Sequence, residues 1–261
     1  MKTKRMSRKM RRERKNMMEN LRSEREHLID ENSDFFILEA YKSLRTNVIF
    51  SLAGEAGSKV VLVTSSMQSE GKSTTAVNLA ISFALAEKKV LLIDCDMRRP
   101  KLARLLGMSA AAGLSNILLE PELLKEGIMP TRQKNMYVLL SGDIPPNPSE
   151  LLSTNQMHML LRDLREQFDY IIMDTPPVNV VTDAMVLSPQ SDGALFVVRA
   201  GHSERNAVMR AVEQLNRANA KLLGFVLNGV EDKRSVYGKY RRNGYSKEYG
   251  YGYQETSAVM E

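Results

Sequence analysis

Residues 60–75 read VVLVTSSMQSEGKSTT, and this stretch decides how the rest of the 261-residue chain is understood. Val60 to Val63 form a short apolar run, as in a buried strand. Ser65 to Gly71 are mostly small and polar, and Gly71-Lys72-Ser73 open a helical pattern carried by Ala76, Leu79, Ala80, Phe83 and Ala84. A strand, a tight turn and a helix start are the parts of a phosphate-binding loop. The first N–H groups of a helix have no intrahelical partner, so they face an anion placed before them, and the helix dipole favours that anion. In this loop Ser69, Glu70, Gly71 and Thr74 are candidates to surround a nucleotide such as ATP. Lys72 is placed to reach its β- and γ-phosphates and Ser73 to ligate Mg²⁺. The pattern G-x-x-x-x-G-K-[ST] is met except at its first position, where Ser66 replaces Gly.

Two further apolar runs end in acids. Val90 to Met97, VLLIDCDM, carries Asp94 and Asp96, whose spacing of two puts both on one face of an extended strand. The carboxyl ends of parallel strands are where open α/β sheets bind ligands. Two acids opposite a phosphate loop suit Mg²⁺, and one of them could instead accept a hydroxyl proton. Tyr170 to Asp174, YIIMD, closes on a third acid in the manner of a Walker-B strand, whose Asp holds Mg²⁺ directly or through water. Arg98, Arg99 and Lys101 suit either of two tasks, neutralising phosphates or balancing the acids. Additional strands are expected at 137–140, 194–198 and 222–227, the last ending at Asn228, whose amide suits an adenine edge or a turn cap. Helices are expected at 36–50, 102–106, 113–119, 122–126, 204–218, and 150–167, the last capped by Ser149. His158 within it has no second His or Cys at metal spacing and reads as structural. Alternating strands and helices call for an α/β fold of the P-loop NTPase kind, a mostly parallel sheet with helices on both faces.

Composition sets the limits. One domain of ordinary size is expected at 33–232, between a basic arm at 1–32 and a tail at 233–261. Cys95 is the single cysteine, which excludes an internal disulfide framework and fits a reducing compartment. No apolar run approaches 18 residues, so no membrane span is expected. The net charge of +6 is uneven, with eleven Lys and Arg in the first 25 residues. That arm suits anionic lipid, nucleic acid or an acidic partner, and equally a solvated arm without a ligand. It has no aromatics to stack on bases, and no specific nucleic acid is expected.

Beyond Asp232 the chain holds Tyr237, Tyr240, Tyr245, Tyr249, Tyr251 and Tyr253, six of its nine tyrosines, among Gly and charge with hardly an aliphatic residue. Exposed hydroxyls that accept phosphate fit this composition better than a packed element. Lys239, Arg241, Arg242 and Lys247 against Glu248 give the cluster a charge of +3. Each phosphotyrosine adds roughly −1.5 to −2, so two would cancel it. In the 36–50 helix, Glu39, Lys42 and Arg45 recur at intervals of three as a polar ridge, which by physics alone is a solvated, salt-bridged face.

Taken together, the loop at 65–74, LLIDCDMRRP, YIIMDTPP, EAYKSLRTN and the tyrosine-rich tail resemble the bacterial tyrosine kinases of capsule and exopolysaccharide synthesis. The likeness runs from about residue 36 to 253. It implies a nucleotide fold shared with the MinD and ParA partition ATPases, which lack the tail, and ATP with Mg²⁺ as cofactors. It also implies Lys72 on the phosphates, Ser73, Asp94 and Asp174 around the metal, and Asp94 with Asp96 activating the attacking tyrosine. By the same resemblance Glu39, Lys42 and Arg45 match an oligomerisation motif of ring-forming subunits, with Lys in place of Arg at the middle position. Gln68-Ser69 stand where the family shows Pro-Gly. The resemblance further implies autophosphorylation of the tail tyrosines between subunits, other tyrosine-bearing protein substrates, and a separate membrane adaptor with an activating cytoplasmic tail. The protein would then lie at the inner face of the membrane through that partner. Two other readings compete: a nucleotide-switched positioning ATPase, and a regulatory protein that binds ATP while another kinase modifies its tail.

Overall fold

Apolar runs rich in Val, Ile and Leu form the centre of the molecule, as expected for strands covered on both faces. The computed structural model describes residues 25–54 and 57–230. Among these the strands are β1 (Lys59–Ser65), β2 (Val90–Asp94), β3 (Ile128–Pro130), β4 (Met136–Leu139), β5 (Tyr170–Asp174), β6 (Gly193–Arg199) and β7 (Leu222–Asn228). They form one sheet in the order β3-β4-β2-β5-β1-β6-β7. Every pairing is parallel except β3 with β4. Strand β3 has no counterpart in the sequence reading; it is three residues long, and its Pro130, which lacks an N–H, sits on an edge where none is needed. Because β5 lies between β1 and β2, Asp174 pairs with Val63 on one side and with Asp94 on the other.

The helices are α1 (Phe35–Ser51), α2 (Lys72–Leu85), α3 (Leu102–Leu106), α4 (Leu114–Leu119), α5 (Leu124–Gly127), α6 (Pro148–Leu152), α7 (Asn155–Arg165), α8 (Asp183–Leu187) and α9 (Arg205–Arg217). Two of these replace the single helix expected at 150–167. Ser153 Oγ donates to Glu150 O at 2.7 Å and Thr154 Oγ1 to Leu151 O at 2.8 Å. Such local bonds offer the backbone an alternative to the helix and end α6. Ser149 is no cap: Asn147 precedes α6, and the Ser149 hydroxyl bonds Asp183.

The apolar stripes of α7 (Met157, Leu160, Leu161, Leu164) and α9 (Ala207, Ala211, Leu215) cover one face of the sheet. Helices α1 and α2 contribute to the core on the other, where Phe83 stacks on Tyr170 with ring centroids 3.9 Å apart. Alanines 76, 80 and 84 line α2, which is buried along nearly its whole length. Small side chains let it approach the sheet closely.

Residues 25–32, read from the sequence as part of the arm, pack on the domain. Ile29 is buried, its N–H donates to Asn78 Oδ1 at 3.0 Å, and Asn78 Nδ2 donates to His27 O at 2.9 Å. Arg25 donates from Nε and Nη2 to Arg104 O at 3.0 and 2.8 Å. The segment is thus strapped over α2 and the end of α3. Asn78→Ala leaves a buried N–H and a carbonyl without these partners and is expected to cost about 1–3 kcal/mol. Denaturant unfolding reads the cost, and faster hydrogen exchange at 27–29 locates it.

Candidate active site

The loop between β1 and α2 departs from the usual pattern at three positions, and the structure shows what holds it instead. Glu70 is fully buried, and its carboxylate accepts from Ser66 Oγ at 2.7 Å, from Met67 N at 2.8 Å, and from Ser203 Oγ. Ser66, present where Gly is usual, is therefore a tie within the loop. Ser69 takes the left-handed φ of 66°, a conformation that favours Gly. Its carbonyl accepts from Arg199 Nη1 at 2.9 Å, while Gln68 Oε1 accepts from Arg99 Nη1 at 2.8 Å. Two arginines brace what Pro-Gly would stiffen by covalent means. Gly71 precedes α2 at φ 92°, and a Cβ there would lie 1.8 Å from Asn228 Nδ2. Only glycine fits.

Beside this loop opens a cavity of about 650 Å³, lined among others by Ser69, Gly71, Lys72, Ser73, Thr74 and Asp96. Lys72 Nζ stands 3.1 Å from Asp96 Oδ2, 3.4 Å from Asp174 Oδ1 and 3.4 Å from Ser73 Oγ. The four side chains come from three separate segments that only the sheet brings together. Asn228 lines the same cavity, but its amide donates to Glu70 O at 3.0 Å and its Oδ1 accepts from Gly229 N at 2.8 Å. Of its two expected uses the structure displays the turn cap. Glu70 faces its own loop and not the cavity.

Asp94 and Asp96 do not share a face as their spacing suggests, because β2 ends at Asp94 and Asp96 lies in the connection beyond. Asp94 is fully buried; its Oδ1 accepts from Asp96 N at 3.2 Å and its Oδ2 from Lys101 N and Leu102 N at 3.1 and 3.0 Å. It is a bracket for the turn that presents Asp96, and no direct contact with the cavity is left to it. Of the cations that follow, Arg98 pairs with Asp183 and not with the acids of β2. Asp183 was missed because a lone acid after a Pro-rich turn carries no sequence pattern.

On α1, Lys42 Nζ meets Glu39 Oε1 at 2.7 Å, whereas Arg45 turns inward to Ser82, so the ridge is only partly free. The six tail tyrosines lie outside the described residues.

Charge around Lys72 is unbalanced. Burial and then the neighbouring Asp174 push the Asp94 carboxyl up to about 7. Burial likewise raises Asp174 despite the attraction of Lys72. Burial alone would lower the Lys72 ammonium, but Asp174 and Asp96 outweigh it and hold it above its usual value. Asp174 Oδ2 is buried with no hydrogen-bond partner among the described residues. A spare carboxylate oxygen beside the Ser73 hydroxyl fits a hard cation. No three His, Cys, Asp or Glu converge as a metal cage among the described residues, so such an ion would take few protein ligands, as Mg²⁺ does.

Residues 58–222 match the family described as AAA domain. Over 203 residues the chain is 40% identical to Tyrosine-protein kinase YwqD of Bacillus subtilis, covering 77% of this chain and 85% of that protein. The chain belongs to the bacterial tyrosine kinases. The kinase domain of Escherichia coli tyrosine kinase ETK superposes with a TM-score of 0.71 at 33% identity, over 74% of this chain and 76% of that one. The cell division ATPase MinD of Pyrococcus furiosus reaches a TM-score of 0.56 at 26% identity, over 65% of this chain and 71% of that one. The fold is thus the one MinD has, and the greater likeness to tyrosine kinases sets aside the positioning ATPase. The protein is a protein-tyrosine kinase with the fold of nucleotide-binding P-loop proteins.

The raised Asp94 carboxyl has a stability consequence. Its unfolded value is near 3.8 and its folded value about 7, so between them the folded state holds a proton the unfolded state has lost. Stability from this group is therefore present below about pH 4 and is lost as pH rises to about 7. In the absence of nucleotide and Mg²⁺, Asp94→Asn is expected to gain on the wild type by up to about 1.4 kcal/mol per pH unit across that range. Urea unfolding of both proteins at pH 5, 6 and 7 checks the sign: a constant difference rejects the titration.

Proposed function

We propose that this kinase transfers the γ-phosphoryl of Mg²⁺-ATP in line to tyrosines of the 237–253 cluster on a neighbouring copy. The observation that carries the reading is the meeting of Lys72, Asp96 and Asp174 beside an α2 N-terminus that opens on a cavity. Lys72 leaves its carboxylates for the β- and γ-phosphates, and the N–H groups of Gly71 to Thr74 take the phosphate oxygens. Asp174, with its unpaired Oδ2, and Ser73 would hold Mg²⁺, and Asp94 would serve that site through the turn it brackets. When bound, the ion supplies charge that stabilises the transferring phosphoryl group. Once Lys72 has moved, Oδ2 of Asp96 is open to accept the tyrosine proton, while its Oδ1 stays on Arg99 N. Most of the acceleration comes from positioning and fixed charge.

The family likeness supports a role in capsular or exopolysaccharide assembly, recruitment to the inner face of the membrane by an adaptor, and activation by that adaptor's cytoplasmic tail. Among the described residues no helix is long and apolar enough to cross a membrane. A ring of copies would use α1, where Lys42 is open and Phe35, Phe36 and Phe50 are exposed. Six phosphotyrosines per tail would turn the cluster from basic to strongly acidic and push copies apart.

The central test is intact mass and peptide mapping of the full chain given Mg²⁺-ATP and membranes of the source cell. Successive phosphates within 237–253 are expected on the wild type. Lys72→Met should slow them by roughly 100-fold or more. Equal modification of both proteins would mean that another kinase acts on the tail. By light scattering, the modified protein is expected to show a smaller mass than the unmodified one, and identical masses would refute the ring-loosening step.

A further inference from the structure

Asp183 opens α8 and is fully buried, yet it takes no part in the phosphate site. Its Oδ2 accepts from Arg98 Nε at 3.1 Å and its Oδ1 from Arg98 Nη2 at 3.3 Å. Ser149 Oγ accepts from the same Nη2 at 3.0 Å and from Thr182 Oγ1 at 3.1 Å, and itself donates to Asp183. Two edges of a planar guanidinium are thereby fixed. The remaining nitrogen, Nη1, makes no hydrogen bond among the described residues, and Arg98 lines the nucleotide cavity with 38% of its side chain exposed. None of its bonds goes to the phosphate loop or to Asp94, Asp96 or Asp174.

The same cavity is lined by apolar Pro176, Pro177, Val180 and Val181, and Val180 is 45% exposed. A triphosphate is served by Lys72 and the start of α2. Apolar lining together with a cation held from behind, as Arg98 is by Asp183 and Ser149, suits an aromatic side chain that has a negative group nearby.

The tail offers a pattern that fits this arrangement. The residue two places after the tyrosine is Glu255 for Tyr253, Tyr253 for Tyr251 and Tyr251 for Tyr249. For Tyr237, Tyr240 and Tyr245 it is Lys239, Arg242 and Lys247. In an extended peptide, residues two apart share a face, so the acceptor ring and the group at +2 meet the same wall. We propose that Arg98, set by Asp183 and Ser149, reads negative charge at the +2 position of the acceptor, so that the tail is phosphorylated in the order Tyr253, Tyr251, Tyr249. This deepens the kinase reading above and rests on it.

Each round balances. The tyrosine oxygen forms a bond to the γ-phosphorus as the bond from that phosphorus to the β,γ-bridging oxygen breaks. The hydroxyl proton passes to Asp96 and then to solvent, and ADP leaves. The new phosphotyrosine, at roughly −1.5 to −2, becomes the +2 group for the tyrosine two residues before it. Glu255 starts the series. Tyr237, Tyr240 and Tyr245 carry a cation at +2 and follow late.

The test uses peptides spanning 246–256, unmodified or with phosphotyrosine at 253, together with time-resolved mapping of the full chain. For the wild type, kcat/KM at Tyr251 is expected to rise roughly tenfold or more when Tyr253 is already phosphorylated, the size of a charge-assisted hydrogen bond. The double variant R98Q/D183N removes the buried pair together, so no lone buried charge is left to unfold the protein. In it the ratio of primed to unprimed rates is expected to fall near one. Ser149→Ala should lower the ratio in part, and in the full chain Glu255→Gln should delay the first phosphate. A wild-type ratio near one, or a ratio that survives in the double variant, overturns the proposal. Weaker nucleotide affinity in the double variant with the ratio intact would place Arg98 on the ATP phosphates and also overturn it. Absence of tyrosine phosphate on any wild-type substrate would instead sink the kinase reading itself.

Discussion

One ammonium set among three buried carboxylates is the constraint on which the rest of the structure depends. Lys72 contacts Asp96 and Asp174 and acts on Asp94 at longer range, so with all groups ionised the cluster carries a net charge of −2 in a dry interior. At an effective dielectric near 20, two unit charges 4 Å apart interact by about 4 kcal/mol, against about 1 in water. A deficit of that size is not left standing. Either a proton settles on Asp94, as its raised titration describes, or more positive charge enters. The phosphate loop, the order of the strands and the turn after β2 all serve to bring these four side chains to one place.

Holding them there requires a loop that does not move, and this chain secures it through hydrogen bonds where rigid residues are lacking. Glu70 gathers Ser66, Met67 and Ser203 on one carboxylate, and Asn228 lies across Gly71. Arg99 and Arg199 reach the loop from two other strand ends. A loop tied to β6 and β7 in this way is coupled to the far half of the sheet. The strap at 25–29 adds a further wall, with His27 on the cavity and Ile29 in the core. The geometry of the loop is thus set by contacts well separated in sequence.

Sequence alone carried the loop, the acidic strand ends and the alternation of elements because each has a local cause: a period, a helix start, a strand that closes on an acid. The places where reading failed share a different character. The different roles of Asp94 and Asp96 depend on where β2 stops, and the backbone N–H groups of Lys101 and Leu102 decide that. The break between α6 and α7 depends on two hydroxyls folding back on the chain. Strand β3 is too short to show alternation. Asp183 and the strap acquire meaning only from partners 85 and 49 residues away. Glu70, expected around the nucleotide, turned to its own loop because three donors converge there.

Two of the cations that line the cavity, Lys72 and Arg98, show how partner geometry divides labour. Lys72 is a point charge on a flexible stem, held by carboxylates at 3.1 and 3.4 Å at the start of α2. Arg98 is a planar fork engaged on two edges by a buried acid and a hydroxyl, and turning it would strand Asp183 without a counter-charge. Breaking such a pair is costly, whereas an exposed ion pair is worth little. Lys72 can therefore exchange partners at less cost than Arg98. A rigid cation beside an apolar wall discriminates among approaching peptides by charge, because it cannot swing away from the wrong one. A kinase whose product is itself an anion would then meet its own product as a better ligand than the unmodified tail.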